Sequence, residues 1–226
     1  MIGFVQSAAQ KKICSKKRIE VGSILVFPWN REWRGVSLAK EKLDQIVTVE
    51  ENMMSVELNR KVFGDFSYGL YIVTSLNEGR LNGQIINTAI QVTSDPPRVA
   101  VIINKKNLTH EYISKSKAFA VSVLDEGAPL IFFGPFGFRS GRDVDKFAKV
   151  QFKNGMTGCP LITEYTLSVL EAKVIDQIDV GTHTIFIGDA VNSEVLKEGR
   201  PLTYRYYRET LKGKSSVNSP TYIPTK

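Results

Sequence analysis

The chain of 226 residues is 42% apolar and 23% charged, carries a net charge of +7 and contains two cysteines. That length supports one sizeable core without requiring a second domain. No apolar run approaches the ~20 residues that span a bilayer, and the early "VGSILVFPW" lacks the length and cleavage pattern of a secretory leader. Cys14 and Cys159 alone cannot build a disulfide framework or a Cys-rich zinc or iron site. Neither a membrane partner nor a metal is expected, and the bland compartment is a reducing, cytoplasmic one. The basic residues are scattered, with no RNP-like or helix-turn-helix pattern, so the charge favours anionic small molecules over nucleic acid.

Residues 1–53 differ in texture from the rest. "KKICSKKR" is a basic cluster and "FPWNREWRG" is rich in Trp and turn residues. The segment reads as a loosely ordered extension, and Met54 is a natural place for the organised chain to begin. "VELNRKVF" suits a short helix. "YGLYIVTSL" (Tyr68–Leu76) is β-rich and stops at the turn "NEG". "GQIINTAIQVTS" reads as one strand ended by "DPP", where prolines forbid continuation. "RVAVIIN" is a buried-type strand running into a polar turn and the helix "THEYISKS", with Asn107 or Thr109 as cap. "AFAVSVL" is a further strand. Residues 127–160 form a long loop region with a short helix expected near Val144–Val150. "YTLSVLEAKVIDQ" and "THTIFIGDAVNSEVL" pair as a hairpin. "PLTYRYYR" reads as a last strand, and residues 212–226 have the composition of a linker tail. Six or seven strands with few helices predict a mainly β, antiparallel barrel.

Four places invite chemistry. Asn82, Gln84, Asn87 and Thr88 put amides and a hydroxyl into strands that otherwise read as buried. Such groups need partners, either neighbouring strands and water or a flat heterocycle with N–H and C=O edges. Lys105, Asn107 and Thr109 stand at a helix start, which is either a solvated cap or an anion site. In "FGFRSGRDVDKF", Ser140 and Arg142 form a turn with a guanidinium that either binds phosphate or braces Asp143 or Asp145, while Asp145 and Lys146 can pair locally. His183 lies at the mouth of the last hairpin, where a lone histidine is more often surface than catalytic.

At these same places the sequence resembles a known family. "YGLYIVTS", "NGQIINTAIQVTSDPPRVAVIINKKNLTHEYI", "FGFRSGRDVDKF", "TGCPLI" and "GTHTIFIGDAV" resemble the flavin reductase-like, FMN-binding split-barrel proteins, especially the flavin domain of high-molecular-weight rubredoxins and flavoredoxins. The likeness covers roughly residues 54–222. It implies a Greek-key split barrel over residues 54–211 that binds FMN tightly, accepts electrons from NADH or NADPH and passes them on. The acceptor would be a small molecule or a redox protein such as a rubredoxin. A non-enzymatic FMN carrier reduced by a partner protein is the alternative. By the same resemblance, Asn82, Gly83, Gln84, Ile85, Asn87 and Thr88 would hold the ring and ribityl chain. Lys105, Asn107 and Thr109 would lie near the phosphate, with Ser140 beside the flavin. His183 and Arg142 would flank the nicotinamide or acceptor side, and the protein would be a homodimer.

Overall fold

The computed structural model describes residues 59–222; the expectations for residues 1–53 lie outside them. A 3-10 turn at Arg60–Gly64 is capped by the Asn59 side chain, which accepts from the Lys61 N–H at 3.1 Å. Nine strands follow: β1 (Tyr71–Asn77), β2 (Arg80–Ile86), β3 (Ala89–Ser94), β4 (Pro97–Asn104), β5 (Ala118–Leu124), β6 (Phe152–Asn154), β7 (Pro160–Ile162), β8 (Thr166–Asp179) and β9 (His183–Val195). Three α-helices accompany them among the described residues: α1 (Leu108–Ser116), α2 (Gly134–Phe138) and α3 (Tyr204–Glu209). No helix among the described residues is long and apolar enough to cross a membrane.

Seven strands form one antiparallel sheet in the order β2-β1-β5-β8-β9-β4-β3, while β6 and β7 make a small ribbon. The β1–β2 turn places Glu78 and Gly79 at φ 50° and 75°, the left-handed pair that a two-residue hairpin requires. The strand expected from "GQIINTAIQVTS" is in fact two. It breaks at Asn87-Thr88, and its halves pair at opposite ends of the sheet, β2 with β1 and β3 with β4. Two residues bridge only a few ångströms, so the two edges of the sheet must meet there. The sheet therefore curls into a barrel that is split rather than fully laddered.

One apolar cluster fills the barrel, with Val73, Val101, Ile103, Ile113, Phe119 and Phe186 buried. Helix α1 contributes to its closure by burying Thr109, Tyr112 and Ile113, spacings that share one helical face. A second cluster lies outside β1 and β2, where Ile72 and Leu124 meet Phe132, Phe133, Phe136 and Phe147. This explains two departures from the sequence reading. The short helix is at Gly134–Phe138, not 144–150, because the buried phenylalanines fix that turn, and Asp145 instead accepts from the Phe147 N–H at 2.9 Å. The expected last strand is helix α3. Thr203 caps it by accepting from the Tyr206 N–H at 3.1 Å, and Tyr207 buries against Phe133.

Glu171 of β8 is fully buried, yet its carboxylate is well satisfied. It accepts from the Met156 and Thr157 N–H groups at 2.9 and 2.8 Å, the Thr157 hydroxyl at 2.6 Å and the Asn192 amide at 2.9 Å. Burial alone would raise its pKa; the hydrogen bonds outweigh it and hold the carboxyl below its usual range. Gly155 completes this loop, since a Cβ there would stand 2.2 Å from Glu171 Oε1. Glu171→Gln should lower stability by roughly 3 kcal/mol, because charge-assisted bonds are lost and a buried NH2 group is left facing donors. Urea unfolding at neutral pH reads it. The stability linked to this depressed pKa is present above the unfolded carboxylate pKa and fades as pH falls through the folded value, so wild type and variant should converge in acid.

Candidate active site

A cleft of about 400 Å³ opens between β2, the start of α1, the 137–142 segment and the chain's last described residues. That size lies in the range of small-molecule sites. Alternation along β2 places Asn82 and Gln84 on one face, and Asn87 ends that strand at its junction with β3. Asn82 and Asn87 are buried, at 1% and 5% exposure. Each uses its amide nitrogen on a fixed partner: Asn82 Nδ2 donates to Thr109 Oγ1 at 2.8 Å and Asn87 Nδ2 to Thr221 Oγ1 at 2.9 Å. The side-chain oxygens of Asn82, Gln84 and Asn87 are buried with no hydrogen-bond partner among the described residues. Three orphaned acceptors along one cleft wall are costly unless a ligand supplies N–H or O–H donors.

Of the residues singled out in the sequence, Asn82, Gln84, Ile85, Asn87, Asn107, Thr109, Ser140 and Arg142 line this cleft. Gly83 is on the same strand, but its missing side chain faces the core, where a Cβ would stand 3.0 Å from Thr74 and 3.3 Å from Phe136. Thr88 turns its hydroxyl to the Ile102 carbonyl at 3.1 Å. Lys105 points away from the cleft and pairs with Asp179 at 2.5 Å; its neighbour Lys106 lines the cleft instead. Asn107 is the N-cap of α1 by position, though its side chain makes no capping bond and accepts from the Asn218 amide at 2.9 Å. Ser140 Oγ accepts from the Arg142 N–H at 3.1 Å, and the Arg142 guanidinium pairs with Glu111, not with Asp143 or Asp145.

His183 does not line the cleft. Its Nε2 meets the Asn218 carbonyl at 3.2 Å and its Nδ1 the Thr182 hydroxyl at 2.8 Å. A carbonyl can only accept, so Nε2 donates to Asn218 O. The imidazole thus reaches the site through the C-terminal segment. That segment, of linker composition in sequence, is bonded along the cleft. Asn104 Nδ2 also donates to Asn218 O, at 3.3 Å, and residues 216–220 form one wall.

Sequence reasoning missed one contributor and gave another the wrong partner. The first is this wall, whose Ser, Asn and Pro content looks like a tether. The second is Lys146, only 7% exposed. Its Nζ donates to the Gly83 carbonyl at 2.7 Å rather than pairing with Asp145, and burial pushes its pKa down to about 8.

Comparison with known proteins agrees with the fold. The family profile described as "Flavin reductase like domain" matches residues 63–213. The chain is 48% identical over 166 residues to the ferric-chelate reductase (NAD(P)H) of Archaeoglobus fulgidus, covering 74% of this chain and 98% of that protein. It is 45% identical over 165 residues to the high molecular weight rubredoxin of Moorella thermoacetica, covering 73% and 72% of the two chains. Among solved structures, the NADH:FAD oxidoreductase SgcE6 of Streptomyces globisporus aligns with TM-score 0.55 and 31% identity over 60% of this chain and 80% of that one. The flavin reductase HpaC complexed with NADP+ aligns with TM-score 0.57 and 27% identity over 64% and 90%. The barrel, the polar cleft wall and these likenesses converge: the chain belongs to the flavin reductase like domain family and is an oxidoreductase of that family.

Proposed function

We propose that the chain binds FMN in this cleft and passes electrons from NADH or NADPH to a small-molecule or protein acceptor. The observation that carries the reading is the set of orphaned oxygens on Asn82, Gln84 and Asn87, acceptors suited to a flavin's ring N–H and ribityl hydroxyls. When bound, the flavin supplies two-electron acceptance from a nicotinamide and release to the next carrier. The chain's part is to position and exclude. β2 presents the acceptors, and the 216–220 wall shields the cleft from water. The α1 start, with Lys106, offers a cation and a positive helix end to the phosphate. Relatives named as a rubredoxin and as a ferric-chelate reductase support a protein or metal-chelate acceptor. Donors of this kind are held in the cytoplasm, which is the setting we propose.

FMN rather than riboflavin is tested at Lys106. Lys106→Ala should weaken FMN about tenfold and riboflavin little, measured by quenching of flavin fluorescence. Equal losses for both flavins would place the phosphate elsewhere.

We further infer a homodimer. Register places Ile90 opposite Ala100, Ala100 opposite Ile187, Ile102 opposite Ile185 and Ile185 opposite Ile178, so these residues share the outer sheet face. Ile90 and Ile178 are 62% and 46% exposed. Ile102 also lines the cleft, so a second copy on this face would border the site. Ile90→Glu with Ile178→Glu should convert a dimer to a monomer in sedimentation velocity; a wild-type monomer would refute the dimer.

A further inference from the structure

Lys146 is the buried cation that this reading leaves without a task. It sits in the cleft wall, 7% exposed, with Nζ bonded at 2.7 Å to the carbonyl of Gly83. An ammonium has three donors, and this is its one hydrogen bond to protein among the described residues. No carboxylate among the described residues is paired with it: adjacent Asp145 is committed to the Phe147 N–H at 2.9 Å. A buried charge without a partner is expensive, and the cost shows in the lowered affinity of Lys146 for its proton.

Its position indicates which part of a ligand it meets. Gly83 lies between Asn82 and Gln84, so the ammonium is anchored on the strand that carries the orphaned acceptors. The α1 start and Lys106, suited to a phosphate, form another wall. A cation anchored on the acceptor strand meets the ring portion of a bound flavin, where added electrons reside. We propose that Lys146 raises the reduction potential of the bound flavin by favouring its electron-rich, more negative state. The proposal rests on the flavin reading above. It makes Lys146 a tuning residue rather than a brace between the 139–147 loop and β2.

The test is an equilibrium redox titration of the FMN-loaded protein, wild type against Lys146→Met and Lys146→Gln. Both variants remove the charge, and the glutamine keeps a donor for the Gly83 carbonyl, so it carries the test if the methionine variant does not fold. Expected is at least a tenfold loss of preference for the reduced state, a fall of about 30 mV for a two-electron couple. Affinity for oxidised FMN should stay within about threefold. An unchanged potential in a folded, FMN-loaded variant overturns the proposal and leaves Lys146 a structural brace. Loss of affinity for FMN but not riboflavin overturns it too, by moving Lys146 to the phosphate. A wild-type chain that binds no flavin would instead defeat the functional reading.

Discussion

Ending the chain at Lys214 should abolish tight flavin binding while leaving the barrel folded. Residues 216–220 form a wall of the cleft but bury little apolar surface of their own; Val217 is 70% exposed. Six hydrogen bonds tie the removed residues to the rest: His183 and Asn104 to Asn218 O, Asn218 to Asn107, Asn87 to Thr221, and Tyr204 and Arg208 of α3 to Ser215 Oγ. At a net ~0.5–1.5 kcal/mol each, they order the segment without supporting the sheet. Cutting after Lys214 keeps the carbonyl that accepts from the buried Tyr207 hydroxyl at 3.0 Å, so α3 should stay docked. The cleft loses more than a wall. Thr221 holds the Asn87 amide nitrogen and thereby turns its oxygen into the cleft; without Thr221 that amide is free to flip. We expect FMN affinity to fall at least ~100-fold, about 2.7 kcal/mol, with the melting temperature within a few degrees of wild type. Retained FMN affinity would show that the wall is decoration.

Asn82→Leu combined with Gln84→Leu should have a comparable effect from the opposite wall. Leucine shares the branching of asparagine and comes near glutamine in volume, so β2 can be retained while two buried, orphaned oxygens disappear. Removing unsatisfied buried polar groups is neutral to stabilising for the free protein. Apo stability should therefore hold or rise, even though Thr109 loses its partner at 2.8 Å. A flavin entering the altered cleft must leave donors unpaired, at ~1–3 kcal/mol each, so binding should weaken by roughly 30-fold or more. Urea unfolding and flavin fluorescence quenching on one preparation read both quantities. A destabilised apo chain with normal flavin affinity would mean that these amides serve the fold and not a ligand.

The barrel was legible because most of its strands declare themselves. β1, β4, β5, β8 and β9 are long, β-branched and bounded by turn residues, and the "NEG" and "IDVG" turns mark their hairpins. The β2–β3 break was not, because Asn87-Thr88 contains neither Gly nor Pro. Its cause is tertiary: the halves pair at opposite ends of the sheet. Helix α3 was hidden by Tyr-Arg-Tyr-Tyr, which suits a strand; Thr203 as cap and the burial of Tyr207 decide for helix. In the site, the amides of β2 stood out because polar groups in an apolar strand demand partners. Lys105 and Lys106 are indistinguishable in sequence, and only Asp179, far along the chain, draws Lys105 away. Lys146 stood in a motif that drew attention, but its neighbour Asp145 suggested a local pair; Asn218 gave no signal, since an asparagine in a linker-like tail is ordinary.

The central claim is that this cleft holds a flavin which a nicotinamide reduces. Anaerobic stopped-flow absorbance on the FMN-reconstituted chain, mixed with NADH or NADPH, tests it most directly. Rapid, stoichiometric bleaching of the bound flavin's long-wavelength band by at least one nicotinamide is expected. The chain ending at Lys214, tested at equal FMN, should show little of it. A chain that retains no FMN, or a bound flavin that neither nicotinamide bleaches, would contradict the account.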